Sequence, residues 1–178
     1  MVQANVVPVD HEGDFRRLFD EHYGYLWCSL RRLGVHERDL EDVAHDVFLE
    51  VHGKLARYDR SRPFRPWLFA FAVRFAADYR KLARHRTELR GEVDAAVTST
   101  ASAEDALAGR DTARLLERAL DALPMDQRAV LVLHEIDETP MKAIADALGI
   151  PLNTAYSRLR LARARCAEVI VKLSGGAR

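Results

Sequence analysis

The sequence predicts an all-α fold, two small helical domains joined by a flexible linker, and three observations carry that prediction. Apolar residues recur at steps of three and four through most of the 178 residues, which is the spacing of a buried helical stripe. No stretch shows the strict alternation of a half-buried strand. Between two such helical regions lies 91–108, GEVDAAVTSTASAEDALA, whose small, polar, weakly patterned composition is that of a linker. The chain therefore divides into a tail (1–9), a first helical domain (10–90), the linker (91–108) and a second helical domain (109–175).

In the first domain a helix is expected over 14–33, with Phe15, Leu18, Phe19, Tyr23, Leu26, Trp27, Leu30 and Leu33 on its buried side. Asp14 is placed to cap its start and Gly34 its end. A second helix over 38–55 carries Leu40, Val43, Ala44, Val47, Val51 and Leu55 on one stripe and acidic residues on the other face. Turn-forming residues at 58–66 precede a third helix over 66–86, whose stripe is Leu68, Phe71, Ala72, Phe75, Tyr79 and Leu82. Shorter helices are expected over 110–123, 125–135, 140–148 and 152–173. Cys28 and Cys166 fall inside helical patterns far apart in sequence, as small buried thiols rather than a disulfide.

The net charge of +0 hides an alternation along the chain. Residues 10–50 hold 11 acidic and 5 basic side chains, 57–90 hold 3 and 10, 91–150 hold 12 and 5, and 151–178 hold 1 and 6. Basic blocks suit phosphate and acidic blocks suit a positively charged surface, so two kinds of macromolecular partner are implied.

The stretch 140–160 (PMKAIADALGIPLNTAYSRLR) reads as a helix-turn-helix. Gly149 supplies the left-handed residue that ends the first helix, and Pro151 suits the opening of the second. On that second helix Leu152, Ala155, Leu159, Ala162, Cys166, Val169 and Leu173 share one side, while Asn153, Thr154, Tyr156, Ser157, Arg160 and Arg163 lie mostly opposite. A major groove admits such a helix, its first residues reaching base edges and its arginines meeting phosphate. In the third helix aromatic and basic residues interleave, a composition suited to unpaired bases and their backbone. Phe71, Phe75 and Tyr79 are expected in the core; Phe64, Trp67 and Arg74 are expected to make contact.

Taken in order, these motifs resemble a bacterial RNA polymerase sigma factor of the short, two-domain extracytoplasmic-function (ECF) class, over roughly residues 15–171. DLEDVAHDVF (39–48) is similar to the helix by which that family binds the clamp coiled coil of core polymerase. The Pro66, Trp67, Leu68 run with Asp78 and Lys81 is similar to its promoter-melting helix. LDALPMDQR (120–128) and the helix-turn-helix are similar to its upstream-element reader. The resemblance implies that Asp39, Glu41, Asp42, Asp46 and Phe48 contact core polymerase. Phe64, Trp67, Arg74, Arg80, Lys81 and Arg84 then lie along the minus-ten strand, and Asn153, Thr154, Tyr156, Ser157, Arg158, Arg160 and Arg163 face the minus-thirty-five element. The implied partners are core RNA polymerase, promoter DNA and an anti-sigma factor. Arg74 stands where the family usually has Asn, Tyr156 and Leu161 where many relatives are basic, and Ala155 replaces a usual β-branched residue.

No run approaches the roughly 20 apolar residues of a membrane span, so a cytoplasmic protein without membrane insertion is expected. The seven histidines are scattered without HExxH or paired CxxC spacing. No catalytic residue, cofactor or small-molecule substrate is expected, and the acidic helix bearing Asp42, His45, Asp46 and Glu50 reads as a protein-contact face rather than a metal site. A stand-alone helix-turn-helix regulator and a sigma mimic that sequesters an anti-sigma factor remain as alternatives.

Overall fold

Seven helices and two short 3-10 turns account for nearly all of residues 11–90 and 115–175, which the structure, a computed structural model, describes. The expected tail and linker lie outside the described residues. Helix α1 spans His11–Arg32, α2 Leu40–Lys54 and α3 Phe64–Arg90. A short helix α4 covers 115–121, followed by α5 (Met125–Leu131), which widens into a π-helical turn (Val132–Ile136). Helices α6 (Met141–Leu148) and α7 (Leu152–Gly175) complete the described residues. No strand occurs among the described residues.

Helices α1, α2 and α3 pack on one another, α5 and α6 both pack on α7, and α3 also meets α5 and α6. The buried apolar side chains of both sets form one continuous cluster. Leu26 and Leu30 of α1, Leu33 in the turn after it, Val47 and Val51 of α2, and Leu68 and Phe69 of α3 are fully buried in the first set; Val130, Val132, Leu133 and Ile144 are in the second. Burial on this scale supplies the driving force for both bundles and for their contact.

Local details depart from expectation for physical reasons. Helix α1 begins at His11, so Asp14 lies within it and does not cap it; its carboxylate pairs with Arg60 at 2.5 Å instead. Helix α3 starts two residues before Pro66, which is tolerated because the first-turn amides have no helical acceptor to lose. Leu82, expected in the stripe, is 51% exposed, whereas Phe69 and Ala76, outside that stripe, are buried. The reason is that α3 is covered on two sides, by α1 and α2 and by α5 and α6. Leu152 is exposed and Cys28 lies at the surface rather than in the core. The two glycine stops hold: Gly34 has φ +93° and Gly149 φ +64°, conformations that a side chain adopts only with strain.

The seam between the two sets is polar as well as apolar. Arg128 of α5 is 2% exposed. Its Nε donates to the Arg32 carbonyl at 2.5 Å and its Nη1 to Asp121 at 2.8 Å. A Cβ on Gly34 would come within 3.2 Å of that Nη1, so the glycine also makes room for the guanidinium. Burial pushes the Arg128 pKa down to about 10, partly offset by Asp121, and the group stays charged at neutral pH. Beside it, the Tyr25 hydroxyl donates to Asp137 at 2.7 Å and Arg32 pairs with the same carboxylate at 3.4 Å.

Burial pushes the Asp137 carboxyl above its ordinary 3.8, outweighing Tyr25, Arg32 and Arg65, which pull it down. The folded state therefore holds that proton more tightly than the unfolded chain. This group's contribution to stability is greatest below the unfolded value and declines as pH rises through the raised one. The stability of the wild-type protein relative to Asp137→Asn is expected to fall as pH rises from roughly 4 toward neutrality. Urea unfolding of both proteins at matched pH checks this; a gap that grows with pH would reverse the sign.

Candidate nucleic-acid and polymerase interfaces

The outer face of α2 is built by its own periodicity: Leu40, Ala44, Val47 and Val51 turn inward, which leaves Glu41, Asp42, His45 and Asp46 exposed. Acidic side chains in the first turn also favour the helix through its N-terminal dipole. Two of the residues expected on this face are used otherwise. Phe48 is 2% exposed and packs between Phe19 (ring centroids 4.6 Å apart), Phe15 and Tyr23, because position 48 adjoins the inward stripe. It supports the face from beneath and is not available for contact. Asp39 precedes α2, is half-buried, and accepts the Tyr79 hydroxyl at 2.6 Å, which ties α2 to α3. Conversely, Leu49 was not singled out and is 60% exposed beside Asp46; its place off the buried stripe was the available signal. Among the described residues no three metal-ligating side chains converge.

At the N-terminal end of α3 the aromatic residues form one cluster. Trp67 lies 4.7 Å from Tyr58, 5.5 Å from Phe64 and 4.8 Å from Phe71, centroid to centroid. His22 stacks on Phe64 at 4.8 Å, and burial lowers its pKa. Tyr58, whose hydroxyl donates to the Arg62 carbonyl and closes the loop, and His22 were both missed by sequence reasoning; no local pattern connects them to α3. Phe71 is buried, and Phe75 and Tyr79 are partly so.

The six residues expected along the minus-ten strand do not form one surface. Phe64, Trp67 and Arg74 sit at the aromatic end. Arg80, Lys81 and Arg84 line a cleft of about 540 Å³ against Leu123, Pro124 and Met125, and Arg80 donates to the Asp121 carbonyl at 3.5 Å. The second half of the basic stripe therefore abuts the seam.

On α7, Ala155, Leu159 and Ala162 are buried, and the opposite face presents Asn153, Tyr156, Ser157, Arg160 and Arg163 with Thr154 and Arg158 half-buried. Two arginines are already engaged: Arg158 pairs with Asp126 at 3.1 Å and Arg163 with Glu135 at 2.5 Å. Pairs at or near the surface such as these contribute about 0–1 kcal/mol and can exchange for phosphate.

Comparison with known proteins identifies the family. The family model of Sigma-70 region 2 matches residues 18–86 and that of Sigma-70 region 4 matches 113–166. The ECF RNA polymerase sigma factor SigL of Mycobacterium tuberculosis (strain ATCC 25618 / H37Rv) is 33% identical over 149 residues, covering 83% of each chain. The chain belongs to the ECF sigma factors. Two solved structures share the fold of this sigma factor. One is CnrH in complex with the cytosolic domain of CnrY (TM-score 0.64, 25% identity, covering 89% of this chain and 88% of that one). The other is RpoE of Bartonella quintana with the anti-sigma factor NepR (TM-score 0.69, 22% identity, covering 88% and 96%). As a sigma factor the protein directs RNA polymerase to promoters, and the stand-alone regulator gives way. No helix among the described residues is long and apolar enough to cross a membrane.

Proposed function

We propose that this sigma factor divides its work among three faces. The outer face of α2 (Glu41, Asp42, Asp46, with Leu49 added) docks on core polymerase. The aromatic end of α3 (Phe64, Trp67, Arg74, with Tyr58 added) captures the opened minus-ten strand. The exposed face of α7 (Asn153, Thr154, Tyr156, Ser157, Arg158, Arg160, Arg163) reads the minus-thirty-five element. The observation that carries this reading is that the three sets lie on different helices, α2, α3 with the loop before it, and α7, each with exposed or part-exposed side chains, so the three contacts do not compete. No bond is made or broken by the protein; stacking of unpaired bases on aromatic side chains, each worth about 1–3 kcal/mol, stabilises the open strand.

The seam must part for this to happen. Packed helices lie roughly 8–10 Å apart, whereas elements about 25 base pairs apart are separated by roughly 85 Å of duplex at ~3.4 Å per step. The 24 residues between positions 90 and 115 can reach at most roughly 79–86 Å when fully extended, a span of the same order as that separation. Arg80, Lys81 and Arg84 join the minus-ten surface in that open state. We also assign an anti-sigma factor as a partner, because a relative of the same fold is held in such a complex.

The test is promoter-specific transcription by core polymerase with the purified protein added. Arg158→Ala with Arg160→Ala is expected to spare core binding and to lower promoter use at least tenfold; equal loss of both activities would undo the division of labour. Failure of the correctly folded wild-type protein to bind core polymerase would refute the reading outright.

A further inference from the structure

Arg74 is held on three sides. Its guanidinium lies 5.3 Å from the Phe71 ring centroid and 5.7 Å from that of Phe75. Its Nη2 donates to Glu50 Oε1 at 3.0 Å, and the same carboxylate is anchored by Lys54 at 2.6 Å. The side chain is nevertheless 50% exposed, and its Nε and Nη1 make no hydrogen bond or ion pair among the described residues. The hydrogen bond from Lys54, together with Arg74, holds the Glu50 carboxyl below its ordinary range, so the brace stays ionised at neutral pH.

Resting on the minus-ten assignment above, we propose that Arg74, braced by Glu50, reads an unpaired guanine, making guanine the preferred base at one position of the minus-ten element. Three physical points lead there. Arg74 follows Trp67 by seven residues, two turns along the same face of α3 and about 10 Å away. A strand stacked on the aromatic end therefore passes it. A fork already immobilised loses little side-chain freedom on binding, which favours geometric recognition over a diffuse charge contact. The Glu50 carboxylate beside the guanidinium repels a phosphate and tolerates a neutral base edge. Guanine places two adjacent acceptors, O6 and N7, on one edge, where adenine and thymine offer a single acceptor.

The experiment is transcription by core polymerase from a promoter library randomised through the minus-ten element, with the wild-type protein, Arg74→Ala, Arg74→Gln, Glu50→Gln and Glu50→Asp. The wild-type protein is expected to prefer guanine at one position by roughly tenfold. Arg74→Ala should flatten that position alone. Arg74→Gln should move the preference to adenine, whose N6 and N7 match an amide, and a folding defect does not produce such a switch. Glu50→Gln should weaken the guanine preference severalfold, and Glu50→Asp should restore part of it, which marks Glu50 as a positioning residue. A guanine preference that survives Arg74→Ala, a flat profile in the wild-type protein, or selection of cytosine would overturn the assignment while leaving the sigma-factor reading intact. Absence of any promoter-specific transcription would remove both.

Discussion

Replacing Asp42 and Asp46 together by lysine is expected to weaken binding to core polymerase at least a hundredfold while the protein stays folded. Both carboxylates are exposed on α2, and neither is paired with another side chain among the described residues, so little intramolecular energy is lost. A lysine in the first turn opposes the helix dipole by only about 0.3–1 kcal/mol. Across an interface, by contrast, a like-charge juxtaposition costs several kcal/mol, and a hundredfold change corresponds to about 2.7 kcal/mol. The measurement is a fluorescence titration of labelled protein with core polymerase, alongside thermal unfolding of the free protein. Unchanged affinity in a folded double variant would show that α2 is not the docking face.

Arg128→Ala is expected to destabilise the protein by about 3 kcal/mol or more. The substitution leaves the Arg32 carbonyl unpaired within the protein, opens a cavity beside Gly34 and removes the partner of Asp121. Each of the first two effects alone costs about 1–3 kcal/mol. Arg128→Met keeps most of the packing volume and is expected to lose less, which separates the cavity from the hydrogen bonds. Denaturant unfolding at neutral pH measures both, and a loss below about 1 kcal/mol for Arg128→Ala would mean that the seam relaxes around the missing side chain.

Helical periodicity and glycine chemistry made much of the fold legible from sequence. The stripes of α2 and α7, the stop at Gly34 and the turn at Gly149 rest on interactions within one or two helical turns, and the sequence states those directly. The acidic outer face of α2 was visible for the same reason: once the inward stripe is known, the outward residues follow. Phe48 shows the limit, because one position at the edge of a stripe turns inward or outward according to what packs above it, here Phe19 of α1.

What the sequence alone determined is therefore the all-α class, the helix-turn-helix, the family, and the residues from which the three faces are drawn. The tertiary structure alone decided which of them remain accessible and which are brought together. Arg128 meets Arg32, Tyr25 meets Asp137, and Tyr58 and His22 join Phe64, from positions that no local pattern relates. The physical reason is that burial and hydrogen bonding across a seam depend on the relative placement of whole helices, and that placement is the summed result of many side chains. Periodicity reports only which side of a helix turns inward.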